Sequence, residues 1–517
     1  MANQQLFASR RGAFVPAANT TNEAGGAAYQ RDAVAALAVY AATGCLNGVF
    51  YADAQTQLAQ VLRLCEAVPT EFVARTALYA RQNAYMKDMP ALLLAHLAQR
   101  DGALCEKIFD RVVDNGRMLR NFVQIVRSGV TGRKSLGTRP KRLVRQWLER
   151  ASVDQILAAA VGQSPSLADV IRMVHPRPQD AEREALYAWL IDRPYKAEAL
   201  PAKVQAYETF KQNHEGDVPD VPFLFLTNLP LTDAHWTAIA RRASWQTARM
   251  NLNTFQRHGV FAKPDDVGHL AAKLRDPAHV ARARAFPYQL FAAWNAITGD
   301  MPQPLRDALQ DAMELATQNV PVLAGNVVVA VDVSGSMSSP VTGNRPGSTT
   351  KMRCVDVAAL IAACVKRKNP SARVIPFNTQ VVSVTLNPRD SITTQATTLA
   401  NALGGGTTVS APLARLNAEK AMVDTLIIVS DNQSWADTCK VAATATMKEW
   451  STIKHRCPGA KLVCIDLQPY MTSQTVESAD VLHVGGFSDA VFDVLGTVAS
   501  NGLDMASWKQ RIERISL

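Results

Sequence analysis

No uninterrupted apolar run in these 517 residues approaches the roughly 18 needed to cross a bilayer, so a membrane-spanning helix is not expected. The opening residues Met1-Ala2-Asn3-Gln4-Gln5 lack the charged-then-apolar pattern of a secretory signal, which makes the cytoplasm the expected compartment. Cysteine is sparse. Cys45, Cys65, Cys105, Cys354, Cys364, Cys439, Cys457 and Cys464 form no Cys-x-x-Cys pair and mostly sit in apolar segments, which argues against zinc and against a disulfide framework. A Gly-x-x-x-x-Gly-Lys-[Ser/Thr] phosphate loop, a nucleophile elbow and a His/carboxylate cluster of catalytic spacing are all missing, so no enzyme is expected. Charged residues make up 19% and apolar ones 48%, ordinary for a globular chain with room for two or more cores. Acid is scarce in one place. Between Arg117 and Arg150 stand ten basic side chains and a single acid, Glu149, which is nearly the whole net charge of +10.

Against these absences, Asp332-Val333-Ser334-Gly335-Ser336-Met337 stands out, directly after the apolar run Asn326 to Val331. A buried parallel strand ending in Asp-x-Ser-x-Ser gathers one carboxylate and two hydroxyls at the strand end where open α/β sheets place ligands. Such a set suits a hard divalent cation, Mg²⁺ first, with Mn²⁺ or Ca²⁺ as alternatives. By itself the hexapeptide reads equally as a polar turn. Two further oxygens favour the cation. Thr407 follows the glycine loop Gly404-Gly405-Gly406, and Asp431 ends the apolar run Thr425 to Ser430. In this order Asp332, Ser334, Ser336, Thr407 and Asp431 resemble the metal-ion-dependent adhesion site of a von Willebrand factor A domain, over roughly residues 322–517. The polar insertion Ser338 to Thr350 is expected to be exposed beside the cation.

The texture of the chain changes at Pro321. Residues 1–29 are rich in Ala, Asn, Thr and Gly and read as a flexible N-terminal arm. From 30 to 321 apolar residues recur at three- and four-residue spacing (Glu71 to Arg81, Leu92 to Gln99, Leu143 to Arg150, Gln289 to Ala296), broken by Pro or Gly, which predicts an α-solenoid of packed helix pairs. Residues 322–517 alternate strands with helices and predict a doubly wound, mostly parallel sheet. The expected fold class is multidomain, α followed by α/β.

The basic segment Arg133-Lys134-Ser135-Leu136-Gly137-Thr138-Arg139-Pro140-Lys141-Arg142-Leu143-Val144-Arg145-Gln146-Trp147 runs from a loop into a helix. Pro140 suits a first turn, and Leu143, Val144 and Trp147 can face a core while the cations stay wet. Scattered structural charges alternate in sign; a single-sign cluster is the footprint of a polyanion. Arg117, Arg120, Arg127, Arg133, Lys134, Arg139, Lys141, Arg142 and Arg145 are therefore candidate phosphate contacts. Aromatic interleaving is thin, so phosphate contact rather than base stacking is the expectation from this segment.

Phe72 to Arg81, Met89 to Leu93, the basic segment, Ser166 to Pro178 and Phe286 to Phe291, all ahead of the A domain, together resemble the TROVE module of Ro ribonucleoproteins, a likeness spanning roughly residues 30–517. The resemblance implies a ring of HEAT-like helical repeats closed by the A domain, and a monomer. It further implies binding of the 3′ ends of misfolded non-coding RNA in the hole and of Y-like RNA on the outer basic surface. His175 matches a family histidine at that surface. The charged helix that precedes this histidine in animal members is replaced here by Ala158-Ala159-Ala160-Val161-Gly162-Gln163-Ser164. An RNA chaperone or quality-control tether for exoribonucleases is the implied role. The competing expectation is an adaptor whose A domain docks an acidic partner residue through the cation, with the helical region as scaffold.

Overall fold

The computed structural model describes residues 15–283, 287–344, 352–436, 443–488, 490–500 and 508–517. The chain forms two compact units. The first combines residues 1–64, 286–292 and 317–514, and the second combines 65–285, 293–316 and 515–517.

In the first unit β3 (Val327–Asp332), β4 (Arg373–Phe377), β5 (Thr425–Ser430), β6 (Lys461–Asp466) and β8 (Val481–Gly485) make a sheet in the order β4-β3-β5-β6-β8, parallel throughout. Every residue of β3 and β5 is buried, as a sheet covered on both faces requires. Alternate residues point to opposite layers. Val328, Ala330, Leu426, Ile428, Leu462 and Cys464 join Leu413, Leu416, Trp450 and Ile453 in one core. The helix Cys354–Lys368 packs against β3, β4 and β5. From β3 the chain moves outward to β4 and then returns to the other side of β3 as β5, so the order reverses between β3 and β5. The carboxyl ends of those two strands are where such sheets bind ligands.

The expectation of a flexible arm over 1–29 is corrected for the described part. β1 (Thr20–Thr21) and β2 (Ala27–Gln30) form a hairpin, and β2 pairs antiparallel with β7 (Thr472–Ser473), a partner more than 440 residues away. Residues 1–14 lie outside the described residues. The helix Ala33–Thr43, read as the start of the helical region, instead packs on β8 within the first unit. Its anchor is electrostatic. The buried Arg31 donates to Asp466 at 2.6 Å and meets His483 Nδ1 at 3.0 Å, while Asn432 donates to the other Asp466 oxygen at 2.9 Å. Burial pushes the His483 pKa well down, and the Arg31 charge adds to this, so the ring stays neutral. Arg31→Ala would leave Asp466 buried without its cation, and denaturant unfolding should register a loss of about 3–5 kcal/mol.

The second unit is helical. Thr70–Gln82, Asp88–Arg100, Gly102–Val112, Gly116–Arg127, Thr138–Arg150, Val153–Ala160, Leu167–Val174 and Ala181–Leu190 follow one another along the chain. Buried aromatic donors tie together helices that are not consecutive in the chain. Trp147 Nε1 donates to Val113 O at 3.0 Å, Tyr187 Oη to Leu148 O at 2.8 Å, and Trp245 Nε1 to Leu274 O at 3.0 Å. Each aromatic ring thus fills a helix interface while its polar tip satisfies a carbonyl that a helix end leaves unpaired. Gly116 permits a close approach of two helices, since a Cβ there would stand 2.1 Å from the Ala159 Cβ.

Candidate cation site and basic face

The β3–β5 register sets Val331 beside Val429 and so carries Asp332 alongside Ser430. The Ser430 hydroxyl donates to Asp332 Oδ2 at 2.5 Å, and Asp332 Oδ1 accepts the Ser334 N–H at 2.8 Å. Ser334 Oγ and Ser336 Oγ lie 3.3 Å apart. Behind them the glycine loop is stitched to this first loop, with Gly335 N–H donating to Gly405 O at 2.9 Å and Gly404 N–H to Val333 O at 2.8 Å. Gly404 and Gly405 take φ of +152° and +82°, a path closed to residues with a Cβ. Thr407 is buried, and its carbonyl accepts the Trp435 and Ala436 N–H groups.

Asp332, Ser334, Ser336, Thr407 and Asp431 are all buried, and the three loops that carry them meet at the carboxyl ends of β3 and β5. Sequence reasoning missed two neighbours. Ser430 is legible only once β5 is known to pair with β3. Tyr51, whose hydroxyl shares a hydrogen bond with Ser336, comes from a loop that packs Cys45 and Val49 against Tyr470.

Electrostatically the site is short of positive charge. Burial pushes the Asp431 carboxyl up to about 7, and the neighbouring Asp332 charge adds to this. Asp332 is raised too, by burial, with the Ser334 and Ser430 hydroxyls pulling the other way. Asp431 Oδ2 is buried with no hydrogen-bond partner. An orphaned carboxylate oxygen beside a second buried carboxylate and two hydroxyls is a donor set that fits a hard cation. Among the described residues no group of three or more His, Cys, Asp or Glu side chains gathers, since this set is two carboxylates plus hydroxyls.

A pH dependence follows from Asp431. The folded protein holds its proton up to about pH 7, whereas the unfolded carboxyl, near 3.8, releases it much earlier. The stability tied to that proton is complete below the unfolded value and is lost as pH rises towards 7. Denaturation midpoints of cation-free protein should therefore fall across that interval, and Mg²⁺ should restore the midpoint at neutral pH. A flat profile unaffected by Mg²⁺ would contradict the donor set.

The start of the polar insertion departs from expectation. Ser339, Val341 and Gly343 are buried, held by Val341 N–H donating to Met352 O at 3.0 Å and Asn344 N–H to Gly48 O at 2.7 Å. Residues 345–350 lie outside the described residues, as does Cys439; the other seven cysteines are free thiols and buried.

On the second unit the ten cations divide into two groups. Several are already engaged by partners that a local count of charges does not see. Arg139 and Arg142 reach Glu106 at 3.6 and 2.6 Å, and Arg150 pairs with Asp110, both acids lying two helices back in the sequence. Arg145 donates twice to Val174 O at 3.0 and 2.8 Å, Arg120 to Val161 O at 2.6 Å, and Arg133 to Ala98 O at 3.4 Å. Six of the ten are thus engaged by groups of the same unit. Arg117, Arg127, Lys134 and Lys141 remain without a hydrogen-bonded or ion-paired partner among the described residues, the first three exposed and Lys141 half-buried. His175 is exposed and caps the Leu167–Val174 helix in a left-handed conformation, φ +50°.

Residues 326–499 match the family model of the Ro60 vWA domain. The chain is 27% identical over 519 residues to an RNA-binding protein RO60 of Deinococcus radiodurans, covering 92% of this chain and 94% of that protein. It is also 25% identical over 238 residues to an RNA-binding protein RO60 of Caenorhabditis elegans, 44% of this chain and 35% of that one. Among solved structures, the RO (RSR) protein of D. radiodurans superposes with a TM-score of 0.62 at 22% identity, over 90% of this chain and 99% of that one, which establishes a shared fold. With a helical module first and a stretch matching the Ro60 vWA domain second, the chain is similar along nearly its whole length to a protein named RNA-binding protein RO60.

Proposed function

We propose that this protein binds structured or misfolded non-coding RNA carrying a single-stranded 3′ end, as a non-catalytic cytoplasmic chaperone or tether that presents RNA to exoribonucleases. The observation that carries the reading is the set of unpartnered cations Arg117, Arg127, Lys134 and Lys141 on the second unit. Without hydrogen-bonded or ion-paired partners among the described residues, they are available to release counterions from a phosphate backbone. The relatives from D. radiodurans and C. elegans are named as RNA-binding proteins, which supports the same polyanion. Y-like RNA would use the same face.

The buried carboxylate pair supports a second element, a divalent cation held by Asp332, Ser334, Ser336, Thr407 and Asp431, directly or through water. The cation would supply a Lewis-acidic docking point for a partner carboxylate, while Ser430 orients Asp332 from behind. That element alone, without RNA, is the adaptor reading. A gel-shift titration of a tailed, structured RNA against wild-type protein and Asp332→Ala separates them. RNA binding retained by both proteins supports the proposal; no binding by either leaves the adaptor.

A further inference from the structure

A groove of about 1030 Å³ opens on the second unit between the Leu167–Val174 and Ala181–Leu190 helices and the turn that follows the latter. Its volume is that of a small-molecule site. One wall is apolar and stiff, formed by Pro176, Pro178 and Pro194 with the fixed ring of Tyr187. The rim is cationic. Arg193 and Lys196 are exposed there without a partner among the described residues, His175 stands beside them, and Glu184 is the one acid lining the groove. Between cations and wall lies Tyr195, 40% exposed, an aromatic face left open to solvent.

The groove is preformed. Asp192 takes φ +57° and Arg193 N–H donates to Ala188 O at 2.9 Å, which fixes the turn carrying Arg193 to Lys196. On the other side Arg177 N–H donates to Glu149 Oε1 at 3.0 Å, fixing the Pro-flanked segment after His175. It also continues into the phosphate-binding face. Arg172 lines this groove and a second hollow of about 630 Å³ that contains Arg127, one of the unpartnered cations. A backbone lying on Arg127 can therefore run past Arg172 into the groove.

We propose that this groove takes an unpaired nucleobase of the bound RNA, stacked on Tyr195, with the adjoining phosphate on Arg193 and Lys196. The inference rests on the RNA reading above and names where a single-stranded segment is held. Single-stranded RNA is recognised by splayed bases stacked on aromatic rings beside a cationic track, which is what an exposed tyrosine between two free cations and a proline wall offers.

The test uses full-length protein and a stem with a single-stranded 3′ tail, titrated across a salt series. Tyr195→Ala should weaken binding on the order of tenfold with the salt slope unchanged, because a stack and not a phosphate contact is removed. Tyr195→Phe should bind as wild type. Arg193→Ala and Lys196→Ala should each lower the slope by about one. A 5-iodouridine in the tail should cross-link to Tyr195. Wild-type affinity in Tyr195→Ala, with binding still lost when Arg117, Arg127, Lys134 and Lys141 are removed, would overturn the groove and leave the RNA reading standing. Absence of RNA binding by the wild type would overturn both.

Discussion

Asp332→Ala is expected to lower the affinity for Mn²⁺ or Mg²⁺ at neutral pH by at least about a hundredfold, read by calorimetry or by the Mn²⁺ paramagnetic resonance signal. The substitution removes one of two carboxylates from a set whose other oxygens are neutral hydroxyls, and hydroxyls alone hold a hard cation poorly. The same change relieves Asp431 of the neighbouring charge that helps raise its carboxyl, so cation-free Asp332→Ala should lose less stability than wild type as pH rises towards 7. Ser430→Ala supplies the graded comparison. Its hydroxyl orients Asp332 without belonging to the donor set, and loss of such outer support costs roughly ten- to a hundredfold. Equal cation affinity in wild type and Asp332→Ala would remove the site from the account.

Simultaneous replacement of Arg117, Arg127, Lys134 and Lys141 by alanine is expected to weaken RNA binding by about two orders of magnitude or more at low salt. The salt slope should fall by about one for each phosphate that is no longer neutralised. The exposure of Arg117, Arg127 and Lys134 keeps their structural cost small, because surface changes of this kind usually stay within about 0.5 kcal/mol. The companion variant replaces Arg139, Arg142 and Arg145. Those three spend their charge on Glu106 and their donors on Val174 O, so their loss should alter binding less and stability more. The reverse ranking would mean that RNA displaces those internal partners.

The A domain was legible because its strands are short apolar runs that end in chemistry. The run Thr425 to Ser430 coincides with β5, and Asp332 and Asp431 fall where the runs of β3 and β5 stop. What escaped is non-local. The hairpin of β1 and β2 is built from small and polar residues around Gly25-Gly26, carries no helical or strand periodicity, and is held by β7 and by Asp466 far along the chain. The helix Ile392–Ala400, rich in threonine, gives only a weak helical signal in sequence. Likewise the basic helix declares its cations in sequence, but the acids that occupy Arg139, Arg142 and Arg150 sit on the helix Gly102–Val112 and face them only after folding. Counting charge within a segment finds a basic face; finding which cations are free needs the neighbouring helix.

Equilibrium binding of full-length protein to a structured RNA with a single-stranded 3′ tail, measured by fluorescence anisotropy from about 50 to 200 mM salt, tests the central claim most directly. The account predicts tight binding whose logarithm falls steeply and linearly with the logarithm of salt, with a slope of about three or more. Weak binding with a slope near zero would contradict it.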